Sequence, residues 1–182
     1  NDDFIVENLQ KGKIIGRCVG RMEFGPRSLG NRSILADPRN LTTKTKINAK
    51  IKNRDFWMPF APSIIDSCAK KYIFNSHKTI SSHMALTFKT TKIGYQKIIA
   101  ACHDADKTVR AQIVTKKTNL DYYSLIKEFK NITGCGALLN TSFNLHGYPV
   151  VKNISEAFDV LNKSDLDGLI TKNFIIVKKQ TN

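Results

Sequence analysis

The chain has 182 residues, of which 41% are hydrophobic and 24% charged, a balance typical of a globular protein with one buried core. No apolar run approaches the roughly 20 residues that cross a bilayer, so the sequence excludes a membrane span within this chain and indicates no membrane partner. The formal net charge of +14 indicates an anionic partner, without deciding between a nucleotide, a small phosphate, a nucleic acid and a docking protein. The first residues lack the basic and apolar stretches of a secretory signal, and we therefore expect a cytoplasmic protein.

The first third of the chain predicts two helices and two strands. Residues 4–11 repeat apolar positions at helical spacing and stop at Gly12. Residues 13–20 and 32–38 are rich in β-branched and apolar side chains and predict two short strands. Residues 41–53 carry isoleucines four apart among lysines, which predicts a surface helix.

The middle of the chain is mixed in the same way. Two prolines in residues 56–65 exclude a regular helix and favour an extended segment or an edge strand. Residues 84–91 predict a strand, residues 95–102 a helix, and residues 109–116 a strand with alternating faces.

The last third begins with the clearest amphipathic helix, at residues 122–134. The remaining predicted elements are a strand at 136–143, a helix at 155–164, and strands at 166–171 and 173–179. Ser155 is a plausible N-cap of that last helix. Alternating helices and strands predict an α/β or α+β protein with a largely mixed sheet.

The cysteines show no metal-ligand spacing. They are Cys18, Cys68, Cys102 and Cys135. Because no two form a CxxC pair, we expect reduced and mostly buried thiols and no protein metal site. His103 follows Cys102 directly, but sequence neighbours rarely form a nucleophile–base pair because their side chains diverge.

The stretch GRMEFGPRSLGNRS, residues 20–33, is the first candidate for chemistry. Its glycines are Gly20, Gly25 and Gly30, and its arginines are Arg21, Arg27 and Arg32. Glycines let backbone N–H groups approach an anion, and arginines hold phosphate or carboxylate oxygens bidentately. The spacing is neither that of a Walker loop nor GxGxxG. The alternative is a tight turn whose arginines pair with Glu23 and Asp37.

Two later stretches add polar and cationic groups. Lys52 and Arg54 precede a proline-stiffened strand and place cations at its rim, although helix-end cations are often simply solvated. Asn140 and Ser142 follow an apolar strand, at the kind of strand end where α/β sheets bind ligands. Arg110 lies in a largely apolar strand, where a charge needs a partner. A ligand phosphate would supply that partner, and so would Asp104 or Asp106.

In this order the segments resemble the C-terminal domain of O-carbamoyltransferases of the nodulation-factor and antibiotic-tailoring type. The matching stretches are GRMEFGPRSLGNRSILADPR, IKNRDFWMPFAPSI, VRAQIV, LLNTSFNLHGYPVV and SEAFDVLNKSDLDGLITKNFIIVKK. They cover nearly the whole chain, and the first and fourth are highly specific to that family.

The resemblance implies a YrdC-like α/β (α+β) fold, an open twisted mixed sheet with flanking helices, in a single domain over residues 1–182. It implies that this domain binds ATP and carbamoyl phosphate, with Mg²⁺ bridging the phosphates, and forms carbamoyl adenylate. In the family, a separate N-terminal domain of actin-like fold passes the carbamoyl group to a substrate hydroxyl. We find no counterpart of that N-terminal domain in this chain.

The resemblance also assigns site residues. Arg27 and Lys52 match residues that hold the phosphates, Arg110 matches the arginine of the later strand, and Asn140 and Ser142 match polar ligand contacts. Together with Arg32 and Arg54, these form the predicted nucleotide and substrate site, in which Arg27, Lys52 and Arg110 are the catalytic candidates.

One position departs from the family pattern. Many members have arginine where this chain has Met58, so one phosphate contact is lost or is supplied by Arg32 or Arg54. Two alternative functions are a threonylcarbamoyl-AMP synthase-like enzyme, which shares the fold, and a non-catalytic basic module that binds RNA. The aromatic residues mostly sit in apolar runs and form no stacking row, so we do not expect a nucleic-acid partner.

Overall fold

The computed structural model describes residues 2–52, 58–75 and 79–179. The helices are α1 (Asp2–Gln10), α2 (Leu41–Ile47), α3 (Asp66–Tyr72), α4 (Lys92–Lys97), α5 (Leu120–Thr133) and α6 (Ile154–Lys163). The strands are β1 (Ile15–Cys18), β2 (Arg32–Ala36), β3 (Ala61–Ile65), β4 (Phe88–Lys89), β5 (Thr108–Val109), β6 (Gln112–Val114), β7 (Ala137–Ser142), β8 (Gly168–Thr171) and β9 (Ile175–Val177). A π-helical turn, Asn48–Lys52, continues α2.

In the described part of the chain, seven strands form one mixed sheet in the order β6-β3-β7-β2-β1-β8-β9. β1–β8 and β3–β6 are parallel pairs, and the other neighbours are antiparallel. The pairing registers bring the carboxyl ends of β1, β7 and β8 to the same edge of the sheet as the amino ends of β2, β3 and β6. We call this the site edge.

Helices cover both faces of the sheet, as the predicted fold class requires. α1 and α5 pack on one face through buried side chains that include Val6, Leu9, Tyr122, Ile126 and Phe129. α6 packs on the other face, with Ala157, Val160 and Leu161 in a cluster that includes Ile34, Leu139 and Phe143. The alternating, mixed α/β architecture predicted from the sequence is therefore confirmed.

The prediction of one strand over 109–116 is wrong. The chain leaves β5 at Val109 and enters β6 at Gln112, so the residues between them cross from a separate two-stranded sheet to the main sheet. Ser81 holds this crossing, because its hydroxyl donates to Ala111 O at 2.7 Å and its carbonyl accepts from Ile113 N at 2.7 Å.

β3 is extended, as one of the two alternatives for residues 56–65 predicted, but it is not an edge strand. It lies between β6 and β7, but its pairing with β6 begins only at Ser63. Pro62 therefore lies outside the β6 ladder, where a missing N–H removes no inter-strand bond on that side.

The cysteines are free and buried, as expected. Burial raises the pKa of the Cys102 thiol to about 12, while the neighbouring His103 pairs with Asp106 at 3.1 Å. Cys102 and His103 therefore form no nucleophile–base pair. Among the described residues, no helix combines the length and apolar character that crossing a bilayer requires.

Candidate functional site

A small pocket opens at the site edge, where the loop between β1 and β2 meets the end of β7 and the start of β3. Its lining residues are Pro26, Arg27, Ser28, Pro59, Phe60, Ala61, Met84, Arg110, Asn140, Thr141 and Ser142. The structure thus brings together Arg27, Arg110, Asn140 and Ser142, which the sequence had placed in one site. The pocket measures about 70 Å³, which suits one small group, since sites for whole drug-sized ligands usually span about 300–1,000 Å³.

A carboxylate closes the loop that carries Arg27. Oε1 of Glu23 accepts from the backbone N–H groups of Leu29 and Asn31, both at 2.7 Å, and of Arg32 at 3.2 Å. Glu23 therefore fills the cluster of backbone donors that the glycine-rich sequence suggested for an external anion. Arg27 is left exposed on the tip of the loop, between the two ends that Glu23 ties together.

Helix α5 supports the same loop from below. Gly30 lies against the ring of Tyr122, and Nη1 of Arg17 donates to the Gly30 carbonyl. The Arg17 guanidinium also lies 5.6 Å from the centre of the Tyr122 ring, and burial lowers its pKa from the usual range. Asn119, the N-cap of α5, donates to Asn31 Oδ1 at 2.9 Å. The loop is therefore held rigidly against the helix.

Arg32, predicted as a second phosphate ligand, has a different role. Its buried guanidinium donates to the carbonyls of Gly20 at 3.0 Å, Val19 at 3.1 Å, Lys152 at 3.1 Å and Asn31 at 3.2 Å. Since Nε also donates to Lys152 O, at 3.3 Å, all five N–H groups have backbone partners. Arg32 joins two loops at the site edge and does not line the pocket.

Asn140 is the centre of a buried polar network at the floor of the site. Its Nδ2 donates to Ser28 O at 3.1 Å and to Ser63 Oγ at 3.0 Å, and it lies 3.5 Å from Gln112 Oε1. Its Oδ1 is buried without a hydrogen-bond partner among the described residues. A buried acceptor without a donor is costly, and a ligand with an N–H or O–H group would satisfy it.

The remaining predicted residues divide into two groups. Arg110 is half-buried in the crossing between β5 and β6, and its two candidate aspartate partners are engaged elsewhere, Asp104 with Lys44 and Asp106 with His103. Arg54 and the side chain of Lys52 lie outside the part of the chain that the structure describes.

Met58 is exposed and is not among the residues that line the pocket. Of the two residues proposed to replace the missing arginine contact, Arg32 donates all its N–H groups to backbone carbonyls; the contact is therefore lost or comes from Arg54, which lies outside the described residues.

Sequence reasoning missed several residues that shape the site. Ser63, Gln112 and Tyr122 were predicted only as parts of strands or a helix, and Met84 gave no functional signal. Gln112 lies within VRAQIV, where a second polar residue on an apolar strand was a usable signal.

Comparison with known proteins assigns this chain to a protein family. A family model described as Carbamoyltransferase C-terminus matches residues 6–178. An uncharacterized protein of Methanocaldococcus jannaschii is 41% identical over 97% of this chain and 29% of its own length. Nodulation protein NolO of Bradyrhizobium diazoefficiens is 39% identical over 94% of this chain and 31% of its own length. A 3'-hydroxymethylcephem-O-carbamoyltransferase of Streptomyces clavuligerus is 29% identical over 81% of this chain and 27% of its own length. The chain thus spans less than a third of the length of these relatives.

Solved structures share the fold. Full-length HypF, crystallised in a phosphate- and nucleotide-bound form, has a TM-score of 0.67 at 18% identity, over 98% of this chain and 26% of HypF. YciO of E. coli has a TM-score of 0.60 at 14% identity, over 98% of this chain and 88% of YciO. At these identities the likeness concerns the fold alone, which is YrdC-like, as the sequence resemblance implied.

Proposed function

Because the chain belongs to the carbamoyltransferase family, whose C-terminal part it matches, we propose that it binds ATP and carbamoyl phosphate and forms carbamoyl adenylate. In this proposal a separate N-terminal domain, which the greater length of the relatives would accommodate, then passes the carbamoyl group to a hydroxyl. HypF, which shares the fold, was solved with phosphate and nucleotide, and this agrees with a phosphate-binding role for the same fold here.

The composition of the pocket carries the proposal. Arg27 and Arg110 supply guanidinium groups for phosphate oxygens, and Asn140 Oδ1 is a buried acceptor without a partner among the described residues. Carbamoyl phosphate has a partner for each of these groups: its anionic phosphate for the guanidinium groups and its NH₂ group for Asn140 Oδ1. Its size also suits a pocket of about 70 Å³ better than a whole nucleotide does.

The proposed reaction consumes one water. Water cleaves the bond between the carbamoyl group and the phosphate of carbamoyl phosphate, which gives carbamate and inorganic phosphate. A carbamate oxygen then bonds to the α-phosphorus of ATP as the bond from that phosphorus to pyrophosphate breaks. Two polyanions must meet, so the main task of the protein is to neutralise their repulsion and the charge on the leaving group. Arginines do this without losing their protons, and no protein nucleophile is required.

The pocket does not fit a protein-bound metal ion. Among the described residues, no three His, Cys, Asp or Glu side chains come together, and the charged groups that line the pocket are guanidinium groups. Any Mg²⁺ would therefore arrive on the phosphates of ATP as part of the substrate.

The proposal is tested by carbamoyl-phosphate-dependent exchange of pyrophosphate into ATP, together with calorimetric binding of carbamoyl phosphate. Arg27→Ala is expected to lower exchange by about 100-fold or more with an unchanged circular dichroism spectrum. Arg21→Ala is the matched control, because Arg21 is exposed on the same loop and does not line the pocket. Wild-type exchange in Arg27→Ala would contradict the role of Arg27. Adenylate formation that needs threonine and bicarbonate instead would contradict the proposed substrate.

A further inference from the structure

Side-chain amides hold Ser28 and Leu29, the two loop residues that follow Arg27. Asn140 donates to the carbonyl of Ser28 at 3.1 Å, and Gln112 Nε2 donates to the carbonyl of Leu29 at 2.9 Å. Two side chains from two strands therefore fix the two residues next to Arg27. Because the bond to Ser28 is buried and the bond to Leu29 is part-buried, the two together restrict where the loop, and with it the Arg27 backbone, can lie.

Gln112 connects this loop to the floor of the pocket. Its side chain is 3% exposed and does not line the pocket, so it has no direct contact with a ligand there. Gln112 is the register partner of Ser63 in the parallel pair β6–β3, and Ser63 Oγ donates to Gln112 Oε1 at 2.7 Å. Asn140 Nδ2 lies 3.5 Å from the same oxygen. One amide thus donates to the Arg27 loop and accepts from the network around Asn140.

Two backbone carbonyls, which can only accept, fix which way the amides of Gln112 and Asn140 face. The Leu29 carbonyl can only accept, so Gln112 must turn Nε2 toward the loop and Oε1 toward Ser63 and Asn140. Since the Ser63 hydroxyl proton is used on Gln112, Ser63 Oγ accepts from Asn140 Nδ2. The Ser28 carbonyl accepts from the same nitrogen, which leaves Oδ1 for a ligand donor.

We propose that Gln112 is a positioning residue that holds the Arg27 loop and, through Ser63, supports the Asn140 amide, so that the site accepts a hydrogen bond from the ligand NH₂. This inference rests on the function proposed above and extends it to a substrate preference, carbamoyl phosphate over acetyl phosphate. Acetyl phosphate has a methyl group in place of the NH₂ and cannot satisfy Asn140 Oδ1.

Two variants separate the two roles of Gln112. Gln112→Met has a similar length but removes both the donor to Leu29 O and the acceptor that faces Ser63 and Asn140, so Asn140 loses its polar support on that side. Gln112→Glu keeps oxygens that accept from Ser63 and Asn140 but can no longer donate to Leu29 O. Gln10→Met, on an exposed residue at the end of α1, is the matched control.

The readouts are calorimetric binding of the two acyl phosphates, kcat and KM in pyrophosphate exchange, and the urea midpoint as a check on folding. Both Gln112 variants are expected to lower kcat/KM by about 10- to 100-fold, because the Arg27 loop shifts. Gln112→Met is expected to reduce the preference for carbamoyl over acetyl phosphate by up to about tenfold, the value of one neutral hydrogen bond, because Asn140 is held less firmly for the ligand NH₂. Gln112→Glu is expected to retain that preference.

The outcomes distinguish the two proposals. If the wild-type protein binds neither acyl phosphate, the proposed function fails. If the wild type binds and prefers carbamoyl phosphate while folded Gln112→Met keeps both the wild-type preference and rate, the positioning role is overturned. If Gln112→Met does not fold, wild-type exchange in Gln112→Glu overturns the role equally.

Discussion

Gly30 lies directly on the aromatic ring of Tyr122. A β-carbon built on Gly30 would be 2.3 Å from Cδ1 of that ring, and the backbone of Gly30 has a φ of +117°. The loop that carries Arg27 can therefore approach helix α5 only because residue 30 has no side chain.

Replacing Gly30 by alanine is expected to destabilise the protein by about 2 kcal/mol more than the same change at Gly25. Both glycines have positive φ, but a β-carbon on Gly25 would meet nothing within 4 Å. The difference between the variants therefore isolates the clash with Tyr122 from the backbone strain that they share. Urea unfolding measures the free energy of unfolding of both variants. Equal losses of stability in Gly30→Ala and Gly25→Ala would show that the Tyr122 ring moves aside freely.

Alanine variants of the three loop arginines are expected to differ from one another in stability and activity. Arg32→Ala should cost about 3 kcal/mol of stability, because it removes the five hydrogen bonds by which a buried guanidinium joins two loops. Arg21→Ala and Arg27→Ala should each change stability by less than about 0.5 kcal/mol, since both side chains are exposed. Only Arg27→Ala should then lose activity in a folded protein. Urea unfolding and exchange assays on the same preparations make the comparison, and a stable Arg32→Ala would contradict the assigned bonds.

Arg27 and Arg32 were both predicted as phosphate ligands, but only Arg27 lines the pocket, which shows how much of the site the sequence alone could predict. Strand ends and motif resemblance were sufficient to gather Arg27, Arg110 and Asn140 at one edge of the sheet. The role of Arg32 depends on carbonyls that include that of Lys152, a residue 120 positions away, and no local spacing reports such a contact. Backbone carbonyls are present at every residue, so their arrangement around a guanidinium is visible only in the folded chain.

The break within 109–116 has a similar cause. Alternating apolar and polar residues predict a strand whichever sheet it joins, so periodicity could not show that β5 and β6 belong to different sheets. The crossing depends on Ser81, which lies in a stretch without a functional motif. This crossing carries Arg110 into the pocket lining, so the feature that sequence patterning missed is also the one that positions a predicted site residue.

The buried thiols predict a loss of stability at alkaline pH. Burial raises the pKa of Cys102 to about 12 and of Cys135 to about 11, while an unfolded thiol titrates near pH 9. Above about pH 9 the unfolded chain therefore releases protons that the folded chain retains, and the free energy of unfolding falls. Each thiol should contribute about 1.4 kcal/mol of loss between pH 8 and 10.

The control for this effect is Cys102→Ser, which cannot titrate in this range. Its free energy of unfolding should fall less steeply between pH 8 and 10 than that of the wild type. Parallel slopes for the two proteins would mean that the Cys102 thiolate is tolerated inside the fold. Modification of the native protein with a thiol reagent at pH 8 should also be slow, since all four cysteines are buried.

The start of helix α6 provides the last prediction, because its N-cap is Asn153 and not the predicted Ser155. Asn153 Oδ1 accepts from the backbone N–H of Glu156 at 3.0 Å, and the Glu156 carboxylate accepts from the backbone N–H of Lys152 at 2.8 Å. Asn153→Ala is therefore expected to cost about 1 kcal/mol, and Ser155→Ala, on an exposed residue inside the helix, less than about 0.5 kcal/mol. Since the Lys152 carbonyl accepts from Arg32, loss of this cap should also weaken the junction between the two loops. A double-mutant cycle between Asn153→Ala and Arg32→Ala measures that coupling, and strict additivity would show that the cap and the junction are independent.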